Sequence, residues 1–578
     1  MKQYFKKMTP FGKPVSDKQK EKARQSAEQI HKAENEVSAA VESVMNIGNQ
    51  AETNNKKKQM TIWQRIEYLI DPGTWCPLHA LYNPNANAEG TTGVVDGLAK
   101  INGKWAVIIG FNNKVMAGAM LSGQAENQIR VTDISKRLNI PLVWLVNCSG
   151  VKLTEQQEIY AGRRGGGTPF FRNAELSNKG IPIIGGIYGT NPAGGGYQAI
   201  SPAIILAHKE ANMAIGGKCI VEGMTPKGSF DQKGAERLID MACQFNHSPP
   251  PGGSSIHYDK TGFFNELYET EQGVLDGIKK YMAMIPAYDP NFFCVAEPKE
   301  PKFAAEDLYY IIPHNQKRGY PIREVLARIF DNSEHMEFRP DYGPEVYTGL
   351  AKINGLLTGF IANCQGFLGR DYPEYSSHPG IGGKLYRQGL IKMNEFVTLC
   401  GRDRIPLIWI QDTSGIDVGD DAERAELLGL GQSLAYSIEQ TDIPQICIVL
   451  RKGSAAAHYI MGGPTANNHN AFTLGTPTTE IYVMHGETAA AVQFSRKLVK
   501  EKEQGRPLQP VVNKMNEMID QYHDCSRPIY CASRGFVDGI VPFSELRRYI
   551  KAFTGCSYQN PGSICPHHHM ILPRLIKG

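Results

Sequence analysis

The apolar positions of this chain fall into two kinds of run. Short stretches such as Trp105 to Phe111, Ile140 to Val146, Leu356 to Ala362 and Ile405 to Ile410 are apolar at nearly every residue. Strands that are apolar on both faces belong in a sheet covered on both sides. Between them lie longer amphipathic stretches, Gln124 to Leu138 and Gly382 to Cys400, which predict helices. The recurring order is strand, Ile-Asn-Gly turn, strand, helix, an Ile-Pro-led strand ending in small residues, helix, strand. That order predicts an α/β fold with right-handed crossovers. Ahead of it, residues 14 to 59 are rich in Lys, Glu, Gln and Ala, with Ile30, Val37, Val41, Val44 and Met45 near helical spacing. They predict an N-terminal helical arm packed on the body or on a partner.

The order occurs twice. Gly97-Leu98-Ala99-Lys100-Ile101-Asn102-Gly103 returns unchanged as Gly349 to Gly355, a spacing of 252. Ile140-Pro141-Leu142-Val143-Trp144 is echoed by Ile405-Pro406-Leu407-Ile408-Trp409 at a spacing of 265, and Ile181-Pro182-Ile183-Ile184 by Ile443-Pro444-Gln445-Ile446 at 262. Three echoes in the same order mark a duplicated domain. A chain of 578 residues also exceeds what one core usually supports. The prolines at 286, 290, 298 and 301 separate the copies. The expected parts are an arm at 1–60, one domain at 61–298 and another at 299–578.

Composition narrows the function classes. A net charge of +4, with basic residues dispersed apart from Lys56-Lys57-Lys58, gives no case for nucleic acid. No apolar run is long enough for a membrane helix, and the first residues lack an apolar signal core, so a cytoplasmic protein is expected. The twelve cysteines include no C-x-x-C pair, so neither a disulfide framework nor a metal site is expected. The run His567-His568-His569 lies in a proline-flanked tail and carries no metal expectation.

The candidate chemistry lies at the strand ends. In the first copy these are Asn147-Cys148-Ser149-Gly150-Val151 and Asn191-Pro192-Ala193-Gly194-Gly195-Gly196; in the second, Asp412-Thr413-Ser414-Gly415-Ile416 and Gly453-Ser454-Ala455-Ala456-Ala457-His458. Small residues at a strand-to-helix turn let another molecule approach the backbone. The first amides of the following helix lack internal partners and face outward. Two such turns converging make a two-donor oxyanion hole; the plain alternative is that the small residues only permit close packing. Other chemistries lack their motifs. There is no G-x-S-x-G elbow for Ser149 or Ser414. Gly380-Ile381-Gly382-Gly383-Lys384 lacks the phosphate-loop spacing. His458, His378 and His469 fit structural roles first, and Arg163-Arg164-Gly165-Gly166-Gly167 is a basic loop that could meet phosphates.

Taken together, these turns resemble the carboxyltransferase family of biotin-dependent enzymes, a branch of the crotonase superfamily, over roughly residues 60 to 560. Its N-D-S-G-G-A-R-like turn corresponds to Asn147–Leu153, its A-G-G-A-like turn to Ala193–Gly196, and its Y-G-G-A-like turn to Ser454–Ala457. The resemblance implies two crotonase-like domains of ββα superhelix type. It implies that the first binds acyl-CoA, using the amides of Val151 and Gly195, with Ser149, Gly150, Gly194, Gly196, Arg163 and Arg164 around the ligand. The second would bind biotin, using the amides of Ile416 and Ala456, with Ser414, Gly415, Ala455, Ala457 and His458 around it. These positions carry an uncertainty of one residue at the last turn, where aligning the two copies and aligning to the family motif disagree. The resemblance further implies sites completed between subunits of a homodimer or larger homo-oligomer.

Val151, Lys152 and Leu153 replace residues usual in acyl-CoA carboxylases, and three alanines replace glycines in the second copy. Together with the long arm, these departures place the resemblance with the sodium-pumping decarboxylases. That implies transfer of a carboxyl group from glutaconyl-CoA to biotin, with release of crotonyl-CoA. The biotin would be carried on a separate subunit, since no A-M-K-M-like lysine is present. A membrane-embedded decarboxylase subunit would attach the complex peripherally to the membrane. Water, a tyrosine or His458 could return the proton. Two readings stand beside this one: the carboxyltransferase (beta) subunit of a propionyl- or methylcrotonyl-type carboxylase, and a non-catalytic acyl-CoA-binding scaffold.

Overall fold

A computed structural model of the chain describes residues 8–49, 59–160, 162–216, 232–236, 239, 250–285, 293–368 and 380–560. Lys56 to Lys58, Pro286, Pro290, His378 and the run His567 to His569 lie outside the described residues. Two compact units divide the chain, one of residues 42–287 and one of residues 1–41 with 288–578.

The predicted arm contains helix α1 (Asp17–Asn46), which buries a single stripe of Ala27, Ile30, Glu34 and Val37. The Glu34 carboxylate in that stripe accepts from Tyr309 Oη at 2.7 Å and Phe543 N at 3.1 Å.

The N-terminal unit is built on strands β1 (Cys76–Leu78), β2 (Val94–Ile101), β3 (Lys104–Phe111) and β4 (Leu142–Val146), followed by β5 (Ile183–Ile187), β6 (Ile204–His208) and β7 (Glu266–Tyr268). They lie side by side in chain order. β1, β2 and β3 are antiparallel, and pairing from β3 through β7 is parallel. Helix α2 (Gln124–Leu138) connects β3 to β4, α3 (Gly194–Ile200) follows β5, and α4 (Glu271–Met284) follows β7. α4 brings Val274, Leu275, Ile278 and Met282 onto Val143, Leu145, Ile184 and Leu206. This burial explains why those strands lack polar alternation.

The C-terminal unit repeats the plan. Strands β8 (Glu334–Glu337), β9 (Val346–Ile353) and β10 (Leu356–Asn363) are antiparallel. Short β11 (Lys384–Leu385) and helix α5 (Arg387–Asp403) lead to β12 (Leu407–Thr413) and short β13 (Gly415–Ile416). Helix α6 (Leu427–Gln440) then leads to β14 (Gln445–Ser454), helix α7 (Ala455–Ile460), β15 (Asn470–Gly475) and β16 (Glu480–Tyr482). β12 pairs in parallel with β10 and β14, and β14 with β15 and β16. The expected helix from Gly382 begins instead at Arg387. Gly383 sits at φ +88°, outside the helical region, and the residues after it form β11.

Two repeated devices fix the register. Asn102-Gly103 and Asn354-Gly355 all have positive φ, the conformation of a two-residue type I′ hairpin. One carboxylate caps each turn: Asp71 accepts from the Asn102 and Gly103 amides at 3.0 and 2.7 Å, and Asp331 from those of Asn354 and Gly355 at 2.9 and 2.6 Å. The helices α2 and α5 end on left-handed Asn139 and Arg404, each followed by Ile-Pro. A left-handed cap ends a helix, and proline keeps the next residues extended.

Asp331 differs from Asp71 in being 1% exposed and in pairing with Arg547 at 2.8 Å. Asp331→Ala should therefore destabilise the protein by about 1–3 kcal/mol more than Asp71→Ala, because in a buried setting it takes the acceptor from two amides and one of the two carboxylates from Arg547, which keeps Glu300. Melting temperatures of the two variants check this.

Candidate active site

In the N-terminal unit, the turn after β4 is tied to the residues before α3 by Asn191, which is fully buried. Its Oδ1 accepts from the Cys148 amide at 2.8 Å, and its Nδ2 donates to Tyr188 O at 3.0 Å and Asn212 O at 2.9 Å. Gly150 has φ +99°, which a Cβ disfavours, although a Cβ there would make only ordinary contact with Pro192, at 3.8 Å. Beyond it, Met120 uses both backbone groups on its neighbour: Met120 N donates to Gly150 O at 2.8 Å, and Lys152 N donates to Met120 O at 3.0 Å. A parallel bridge of this kind engages residues 150 and 152 and turns the N–H of residue 151 away. The Val151 amide consequently has no acceptor among the described residues.

The start of α3 stands close beside this turn. A Cβ on Gly195 would lie 2.4 Å from Cys148 O, and one on Gly196 would lie 2.6 Å from Ala214 O. Both glycines thus permit a helix to pack on backbone. Ala193, just before α3, has φ +49°, and the following Gly194 and Gly195 amides belong to the first helical turn, where no intrahelical acceptor exists. The Cys148 thiol is fully buried and pushed up to about 12, so it supplies no thiolate at neutral pH. Ser149 Oγ donates to Met116 O at 2.8 Å. Arg164 is held by Glu126 of α2, while Arg163 is exposed. Lys152 lies between Glu89 and Glu155, and Leu153 is exposed. Beside Gly196, the side chains of Tyr197, Ile200, Met213, Ile215, His257 and Phe263 line an apolar pocket of about 280 Å³.

The C-terminal unit repeats the arrangement with different chemistry. Asp417 N donates to Leu385 O at 3.1 Å, and β11 runs parallel to β13 with Leu385 opposite Ile416. Leu385 stands where Met120 does, and the Ile416 amide is turned off the ladder as the Val151 amide is. Gly415, at φ +125°, matches Gly150. The second turn contains one residue of positive φ, Ala455 at +50°. It stands 455 − 193 = 262 residues after Ala193, the same spacing as the flanking Ile-Pro echo. The residue in Gly195's place is therefore Ala457, and Ala456 corresponds to Gly194. The copies thus align on Ala457, one residue beyond the Ala456 that the family motif implies.

His458 occupies the place of Gly196. It is 6% exposed, its Nδ1 lies 2.8 Å from Gln411 Oε1, and Gln411 Nε2 donates to His458 O at 3.0 Å and Met461 O at 2.6 Å. Burial pulls its pKa down to about 4. It is a neutral residue that fastens α7 to β12, and at neutral pH it offers no imidazolium proton. His469 Nε2 donates to Glu439 O at 2.8 Å, away from both turns. Ser414 opens on a cavity of about 720 Å³ whose wall includes Asn315, Gln365, Lys452, Glu480, Tyr482 and His485.

Each unit thus presents two backbone amides on turns fastened together, beside a thiol in one and an imidazole in the other that burial keeps neutral. That donor set suits an oxygen that gains negative charge during reaction. A carboxyl transferase domain matches residues 53–571. The chain belongs to the carboxyl transferase domain family. This carboxyltransferase is 55% identical over 579 residues to the "Glutaconyl-CoA decarboxylase subunit alpha" of Acidaminococcus fermentans, covering 100% of this chain and 98% of that one. It is 24% identical over 512 residues to the "Methylmalonyl-CoA decarboxylase subunit alpha" of Propionigenium modestum, with 86% and 90% of the two chains covered. The beta subunit of Pseudomonas aeruginosa geranyl-CoA carboxylase shares the carboxyltransferase fold, with a TM-score of 0.77 at 21% identity over 96% of this chain and 98% of that one. The duplicated α/β class expected from the repeat is the fold observed. Asn191 and Gln411, which fasten the turns, carry no motif signal; only the structure distinguishes them from other strand-end residues.

The histidine at 458 has a pH consequence. Below pH 6.5 the unfolded chain takes up a proton that the folded protein refuses until about pH 4. Stability from this group is complete above pH 6.5 and is lost as pH falls, by about 2 kcal/mol at pH 5. The difference in unfolding free energy between wild type and His458→Gln should narrow accordingly from pH 7 to pH 5 in denaturant titrations.

Proposed function

We propose that the chain is the carboxyltransferase subunit of a biotin-dependent, sodium-pumping decarboxylase. It moves the carboxyl group of glutaconyl-CoA to biotin on a separate carrier subunit and releases crotonyl-CoA. The observation that carries the substrate is the full-length identity to the Acidaminococcus fermentans subunit; the observation that carries the chemistry is the pair of unpartnered amides in each unit. The working protein is then a homo-oligomer with sites completed between subunits. A membrane-embedded decarboxylase subunit holds the assembly at the membrane, since no helix among the described residues is long and apolar enough to cross it.

Breaking the carbon–carbon bond to the departing carboxyl group leaves its electron pair on the substrate, delocalised as a dienolate onto the thioester oxygen. The amides of Val151 and Gly195 would face that oxygen and stabilise the charge as it develops. Donors already fixed by the fold need no reorganisation when the charge appears, and losing one typically costs about 3 kcal/mol. In the C-terminal unit the amides of Ile416 and Ala457 would face the ureido oxygen of biotin, an acceptor that two N–H donors suit. Biotin, when bound, supplies the nitrogen that receives the carboxyl group. The remaining contribution is positional: holding two reactants at attack distance can supply about 7–11 kcal/mol. His458, neutral and engaged with Gln411, is excluded as a cationic acid, so the proton returned to the dienolate comes from another group or from water.

The purified chain with free biotin should convert glutaconyl-CoA to crotonyl-CoA. Turnover of propionyl-CoA instead would favour the carboxylase reading, and binding of glutaconyl-CoA without turnover would favour a scaffold. Val151→Pro deletes an amide that has no intrachain acceptor to lose, and kcat should fall about 100- to 1,000-fold. Unchanged turnover in that variant would remove Val151 from the site.

A further inference from the structure

The two units differ most at the residues that join their two turns. In the C-terminal unit Asp412, the last acidic residue of β12 before Ser414, is 1% exposed, and Arg451 of β14 is fully buried. Arg451 Nε donates to Asp412 Oδ2 at 2.8 Å, and the Lys452 amide donates to Asp412 Oδ1 at 3.3 Å. One carboxylate therefore joins β12, which leads to Ile416, to β14, which leads into α7 and Ala457. Arg451 Nη1 also donates to Asn315 O at 3.1 Å and Arg318 O at 2.8 Å, holding the wall of the cavity in front of Ser414. Gln365 completes the cluster by donating to Asp412 O at 2.6 Å.

The N-terminal unit has no counterpart of this charge. By the same register, Asp412 corresponds to Asn147 (412 − 265) and Arg451 to Gly189 (451 − 262). A Cβ on Gly189 would sit 2.6 Å from Asn147 Oδ1, so a neutral amide occupies the space that an ion pair fills in the other copy. The fold does not need the charge, since one copy is built without it. Burying an unneeded ion pair costs desolvation that its mutual attraction only partly repays.

We propose that Asp412 and Arg451 are positioning residues for the biotin side of the transfer. Their pair sets the separation of the Ile416 and Ala457 amides and fixes the 315–318 wall beside them. The proposal rests on the reading of those amides as the biotin-side oxyanion hole. It makes the charged pair a device of one ligand's site, acting through the backbone without touching substrate.

The test compares Michaelis constants for free biotin and for glutaconyl-CoA in the full chain. Asp412→Asn, which copies the residue of the other unit, should lower kcat/KM for biotin about tenfold and leave the KM for glutaconyl-CoA within about twofold. Gln365→Leu, on the half-buried edge of the cluster, should shift biotin in the same direction less strongly and serves if Asp412→Asn fails to fold. Equal changes in both substrates, or none, in a variant that melts normally would overturn the proposal. Ala457→Pro, measured in parallel, separates the two ideas. If it abolishes turnover while Asp412→Asn and Gln365→Leu keep wild-type biotin kinetics, the hole stands and the positioning role falls. If it too leaves turnover unchanged, the hole itself is misassigned.

Discussion

A parallel bridge engages every second residue, and the site depends on that constraint. When Met120 takes the carbonyl of Gly150 and the amide of Lys152, residue 151 between them has to face the other way. The fold thereby presents an N–H that it cannot satisfy internally. An unsatisfied donor is costly when buried, so such an amide persists where a ligand or water can reach it. The same geometry at Leu385 and Ile416 shows that the device was duplicated with the domain. The side chains at 151 and 416 matter little to this argument, which is why valine and isoleucine serve where motifs of the family carry smaller residues.

The second donor of each pair is set by a different constraint. A single left-handed alanine, Ala193 or Ala455, turns the chain from extended strand into helix, and the residues after it present the first-turn amides. In the N-terminal unit Gly195 lies so close to Cys148 O that no Cβ fits. In the C-terminal unit a methyl group is present at the same place, with Ala457 fully buried. The helix start in that copy therefore stands further from its strand end, and the two holes are not copies in detail. His458 in place of Gly196 adds to the difference, because its ring fills space between α7 and β12 and pins the helix through Gln411.

Much of this was legible in the chain before the structure. The heptapeptide at 97 and 349 located the hairpins, because Asn-Gly is the pair that accepts positive φ at both turn positions. Apolar runs located the strands, and the small-residue turns located both candidate holes. Three features escaped. The caps Asp71 and Asp331 sit far from the turns they hold in sequence, and nothing nearby announces an acceptor. The helix expected from Gly382 yields to β11 because Gly383 adopts a left-handed φ, which an amphipathic pattern cannot reveal. At the last turn the family motif and the alignment of the two copies differ by one residue because three consecutive alanines carry no internal mark, and the positive φ of Ala455 favours the alignment of the copies.

Stabilisation of a developing oxyanion by backbone amides requires no ionisable side chain. A side chain used as catalyst ties rate to its own titration, whereas an amide donates at every pH at which the protein folds. The residues that do titrate near the turns have been made inert: Cys148 keeps its proton by burial, and His458 loses its by the same cause. Desolvation thus has opposite consequences for the two groups but one outcome, two neutral side chains in a desolvated surrounding. In such a surrounding a dipole aimed at a developing charge acts with less screening than it would in water. In the C-terminal unit Asp412 is shared between Arg451 and Lys452, whose Nζ lies 3.9 Å from Oδ1, and the cluster ties the strands together. What it leaves behind at the turn is position.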